Sequence, residues 1–66
     1  MQFTYEIKAR REDLGGGWTL RLLQDGKEVG GGVFPPVRGI DDPEIALLEA
    51  YTDAEDTAQE WLNSRL

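Results

Sequence analysis

The side chains able to do chemistry in this chain are carboxylates, a few guanidinium and ammonium groups, and hydroxyls, because it contains no His and no Cys. A Ser-His or Cys-His nucleophile therefore cannot be assembled, and Ser64 falls at the frayed end of the chain. Paired carboxylates work as acid and base in glycosidases. That chemistry needs a cleft to raise one carboxyl pKa, which 66 residues hardly supply. Asp41, Asp42 and Glu44, or Asp53 and Asp56, offer oxygen ligands for Ca²⁺ or Mg²⁺, but their spacing matches no EF-hand loop. Gly15–Gly17 and Gly30–Gly32 lack the helix start and Lys-Ser/Thr pair that make a glycine run into a phosphate cradle. A non-enzymatic protein with no metal and no cofactor is expected.

Binding chemistry is better represented. The net charge is −6, unevenly spread. Residues 1–40 hold six Lys and Arg against five Asp and Glu, whereas residues 41–66 hold Arg65 alone against eight acids. Such asymmetry bears on partners. Asp53, Glu55, Asp56 and Glu60 form an acidic face suited to a basic protein. Gly30, Gly31 and Gly32 expose bare backbone on an edge strand, where a partner's strand can add. The alternative is nucleic-acid binding through Lys8, Arg10 and Arg21 on an open sheet face. A pI near 4.4 and inward-facing aromatics, which leave no stacking platform, argue against it.

The elements that position these residues are legible in the patterning. Asp25-Gly26 lies between two strand-like runs and fits a type I′ hairpin turn. A two-residue loop there sets Gln24 opposite Lys27, Leu22 opposite Val29, Leu20 opposite Gly31 and Trp18 opposite Val33. Trp18, Leu20, Leu22, Val29 and Val33 then share one apolar face, with Thr19, Arg21, Leu23 and Glu28 on the other and Gly31 beneath Trp18 and Leu20 beside a bulge. Residues 2–11 alternate as a half-buried strand, with Phe3, Tyr5, Ile7 and Ala9 on one side. Residues 11–16 form a loop in which Leu14 tucks against the core. Pro35-Pro36 ends the third strand.

Asp42-Pro43 begins a helix, with Ile45, Leu48 and Tyr51 along one side. Thr52-Asp53-Ala54-Glu55 matches a capping box, a second start signal. Ala54, Ala58, Trp61 and Leu62 form the apolar stripe beyond it. Residues 43–65 are thus two helices meeting near Thr52, one longer helix with a bend, or a short strand at 47–51 leading into a helix. Trp18 and Trp61 are expected to meet in the core. The fold class is α+β: a three-stranded antiparallel meander with a helix or two short helices on one face, β-β-β-α, in a single domain spanning residues 1–66.

A chain this small buries only about 60 % of its unfolded surface. Without disulfides or thiolate metal sites, oligomerisation is the staple left, so a homodimer is weighed. The N-terminus has neither basic n-region nor apolar run, and no stretch approaches a membrane span. A cytoplasmic protein is expected.

The order Gly16-Gly17-Trp18, a hairpin ending in Val33-Phe34-Pro35, and Tyr51-Thr52-Asp53-Ala54 opening an acidic helix through Trp61-Leu62 resembles HicB-like antitoxin domains. The resemblance implies three strands followed by a helix, and a small basic toxin as partner. Residues 36–50 stand as an insertion relative to that pattern, and the family's strand after the helix is not matched. No functional residue is carried across.

Overall fold

The turn at Asp25-Gly26 forms as its residue types require, with φ of 51° and 83°, both positive as a type I′ turn needs. It joins β2 (Trp18–Gln24) to β3 (Lys27–Phe34), in a computed structural model that describes residues 1–65. Gln24 faces Lys27 and Leu23 faces Glu28, and there the expected register stops. Val29 is left unpaired as a bulge. Leu22 then faces Gly30 rather than Val29, Leu20 faces Gly32 rather than Gly31, and Trp18 faces Phe34 rather than Val33.

A one-residue slip turns every later side chain over. Phe34 joins Trp18, Leu20 and Leu22 on the covered face, while Val29 and Val33 are each 53 % exposed. Gly31 pairs with Arg21, so it lies on the face opposite Leu20 and Trp18 and not beneath them. Glycines at 30, 31 and 32 offer no side chain to set the register, and Phe34 is the larger apolar group to seat.

β1 (Phe3–Ala9) pairs antiparallel with β2, giving a sheet of order β1-β2-β3. Tyr5 faces Leu22 and Ile7 faces Leu20, so the alternation in the first strand falls as expected. The β1–β2 connection makes a 3-10 turn at Glu12–Leu14 and closes through Arg10 N–H donating to the Gly17 carbonyl at 2.9 Å. Leu14 is 57 % exposed and so does not tuck against the core, because the turn carries it outward. β3 ends at Phe34, where Pro35 removes the next donor.

One continuous helix, α1 (Pro43–Arg65), follows; there is no break at Thr52 and no strand at 47–51. Its start is the expected one. Asp42 Oδ1 accepts from the Glu44 amide at 2.9 Å, with Pro43 in the first helical position. The second start signal is overridden: Thr52 Oγ1 donates to the Leu48 carbonyl at 3.1 Å, as a mid-helix threonine does. Asp42→Ala is expected to cost about 1 kcal/mol in a denaturant titration, and Thr52→Ala to be near neutral. A comparable loss at Thr52 would restore the two-helix reading.

The helix seats on small residues. Ala46, Ala50, Ala54 and Ala58 are the buried positions, with Ala54 and Ala58 at 0 % exposure. Four-residue spacing lines them along one ridge, and methyl groups let the helix lie close to the sheet. Ala54 and Ala58 are buried as expected, and Tyr51 turns to the sheet; Ile45 and Leu48, expected on the same side as Tyr51, are instead 47 % and 65 % exposed. Aromatics fix the helix at two separate points. Trp18 packs edge-on against Tyr51 and donates Nε1–H to the Leu47 carbonyl at 2.8 Å, while Trp61 meets Phe3 edge-on. The tryptophans thus serve opposite ends of the interface, each partly buried, and do not pair with each other.

The resulting core is thin; Leu20 is its one large, fully buried side chain among the described residues. The radius of gyration is 12.7 Å, against about 11 Å for a compact chain of this length. α1 covers β1, β2 and the Phe34 end of β3 but leaves the rest of β3 bare. Gly30 and Gly32 lie on the helix side of the sheet, yet both are exposed, as is every residue from Lys27 to Val33.

Candidate interaction surfaces

Because the alanine ridge faces inward, flanked by the half-buried Tyr51 and Trp61, the outer side of α1 is turned to solvent. Glu49, Asp53, Asp56 and Glu60 follow one another at intervals of four, three and four, which keeps them in one row on the outer side. All four are exposed. Among the described residues no ion pair reaches any of them: the salt bridges present join Lys8 to Glu6, Arg11 to Asp13, and Arg21 to both Glu6 and Glu28. Like charges four apart on a helix oppose each other by about 0.2–0.5 kcal/mol per pair. The row is therefore a mild local strain that a cation would relieve.

Of the sequence-derived acids, Asp53, Asp56 and Glu60 belong to this row. Glu55 sits on a different side and is half-buried. The sequence reading misses Glu49, though its four-residue spacing from Asp53 is the signal that finds it. Ile45 and Leu48, followed by Thr52, run alongside the row as an exposed apolar strip.

On the open face of the sheet, Arg21 occupies the centre. Its Nε donates to Glu28 at 2.6 Å and its Nη1 to Glu6 at 3.0 Å, tying both outer strands to the middle one. The Glu28 hydrogen bond first, and then the Glu6 charge, raise its pKa above the ordinary guanidinium value. Lys8 lies 3.7 Å from the same Glu6 carboxylate. Arg10 reaches the Gly16 carbonyl at the end of the sheet, at 3.4 Å. Lys8 and Arg21 therefore share the Glu6 carboxylate, and Arg10 stands apart from them.

The glycine triplet splits into three environments. Gly30 and Gly32 have room: a Cβ would lie 3.5 Å from Leu22 Cδ1 at the first and 3.7 Å from Phe34 Cε1 at the second. Gly31 has none, since its φ is +148° and a Cβ would overlap the Leu20 carbonyl oxygen. A shallow depression of about 330 Å³ lies over this region, lined by Arg21, Glu28, Gly31 and Val33 among others. A second open cleft, of about 210 Å³, is walled by Pro36, Pro43 and Leu47 and floored by Gly15 and Gly16. Among the described residues no group of three or more His, Cys, Asp or Glu gathers as a metal site, and no helix is long and apolar enough to cross a membrane.

Compared with protein-family models, curated proteins and solved structures, the chain matches none.

Proposed function

We propose that the chain is a non-enzymatic protein-interaction module whose outer helix face engages a basic partner. The observation that supports this best is the unpaired row Glu49-Asp53-Asp56-Glu60 beside the exposed Ile45 and Leu48. The pattern suits an amphipathic segment that sets apolar side chains on the strip and Lys or Arg along the row. Electrostatic complementarity of this kind speeds encounter and selects partners, while the apolar strip supplies burial. The likeness to HicB-like antitoxin domains points to the same partner chemistry, a small basic protein. Nucleic acid is the weaker reading, because Lys8 already pairs with Glu6, and Arg21 with both Glu6 and Glu28.

Titration with an amphipathic Lys/Leu helical peptide tests the reading. Affinity is expected to fall as salt rises from about 50 to 200 mM. Replacing Glu49, Asp53, Asp56 and Glu60 by their amides should weaken binding at least about tenfold, roughly 1.4 kcal/mol. A control that neutralises Glu12, Asp13, Asp41 and Glu44 instead removes the same charge elsewhere. Equal losses in both variants would reduce the row to bulk charge and overturn the assignment.

A further inference from the structure

We infer that β3 is the interface for a second copy of this chain, pairing antiparallel about a two-fold axis through Gly31 to continue the sheet from three strands to six. The inference rests on reading β3 as an interaction edge, and concerns a surface separate from the acidic row of α1.

The two edges of the sheet are unlike. β1 sets Thr4, Glu6 and Lys8 along its open face, the polar and charged edge that discourages pairing. β3 carries no charged residue from Val29 to Phe34, has only glycines between its two valines, and is exposed from Lys27 to Val33. Among the described residues its outer backbone groups have no strand partner, because the sheet stops there.

The edge is also self-complementary. With the axis at Gly31, Gly31 faces Gly31 of the second copy, Gly30 faces Gly32, and Val29 faces Val33 on both sides of the axis. The two valines that the bulge exposes are thereby covered by each other, and no like charges are opposed. Moving the axis to Gly30 would leave Val29 against Gly31 and set Lys27 against Val33. The pairing ends where Pro35 lacks an N–H. Such an isologous contact closes on itself and leaves no free β3 edge to propagate. It also accounts for a third strand left exposed in so small a chain.

Sedimentation equilibrium from about 10 to 500 µM, the range suited to an interface of modest size, should show the 7.4 kDa chain associating to twice its mass. The variant V29K/V33K sets Lys against Lys and should remain monomeric, with an unchanged circular dichroism spectrum. V29E/V33K, which sets Glu against Lys between copies, should associate again. Should the charged variants fail to fold, V29C/V33C gives the same information in a chain that otherwise has no Cys. Oxidation should link two copies through disulfides joining position 29 of one to position 33 of the other. V33C alone should not crosslink, because its two thiols lie four residues apart along the paired strands, beyond disulfide reach. A wild-type chain monomeric throughout, a V29K/V33K dimer, or equal crosslinking by V33C alone would overturn the inference. Retained peptide binding by such a monomer would leave the role of the acidic row standing.

Discussion

Gly31→Ala is expected to remove most of the stability of the fold, whereas Gly30→Ala and Gly32→Ala one residue away are expected to be neutral or stabilising. The three positions look identical in the sequence. Only Gly31 combines a φ of +148° with a Cβ direction that runs into the Leu20 carbonyl oxygen. A strained backbone conformation alone costs about 1–3 kcal/mol, and relieving the overlap would force β3 away from β2 as well. Against a total stability of about 5–15 kcal/mol for an ordinary domain, and less for one this small, the loss is severe. At Gly30 and Gly32 an added methyl makes ordinary contact with Leu22 and Phe34, and a less flexible unfolded chain favours the variant by about 0.4–1 kcal/mol where the backbone tolerates Ala. Thermal melts of the three variants check this. Similar midpoints would mean that the strand does not pass Leu20 in the way described.

The second large effect belongs to the helix seat. Ala58 is fully buried against Leu20 and Leu22, so Ala58→Leu has no space to fill. Overpacking a closed site costs about 1–3 kcal/mol. Here it also lifts the helix between its two aromatic anchors, Trp18–Tyr51 and Phe3–Trp61. Leu48→Ala, on the outer side, removes a larger group from a residue 65 % exposed and should barely change stability. The expected order in urea is wild type close to Leu48→Ala, with Ala58→Leu far below. The reverse order would put the Ile45–Leu48 side of the helix against the sheet.

These two variants mark where the sequence is readable and where it is silent. The Asp25-Gly26 turn, the alternation from Phe3 to Ala9, the stop at Pro35 and the helix start at Asp42-Pro43 are each encoded by a residue type with a narrow physical use. All four appear as expected. The register of β3 is not encoded in the same way, because alternation is read from side chains and positions 30 to 32 have none. Counting straight through them puts Val29 and Val33 inward; the bulge puts Phe34 inward instead.

The helix misleads for a related reason. Ile45 and Leu48 carry more apolar surface than Ala46 and Ala50, so hydrophobicity alone picks the wrong side. Close approach to the sheet selects the smaller residues. Thr52-Asp53-Ala54-Glu55 is a genuine start motif by spacing, but the helical turns before it, from Pro43, already supply the carbonyls it would interrupt. Among the candidate site residues, the acids of the last three turns are legible as a class. Their division into a row with Glu49, and the exclusion of Glu55 from it, depend on which side the alanines take.

The slipped register of β3 underlies both the exposed valines of the edge and the covered face of the sheet, and nuclear Overhauser contacts read it directly. Cross-strand contacts linking Leu22 to Gly30, Thr19 to Val33 and the Trp18 indole to the Phe34 ring are the predicted result. Contacts linking Leu22 to Val29 and Trp18 to Val33 would contradict it, returning both valines to the core and removing the basis for β3 as an interface.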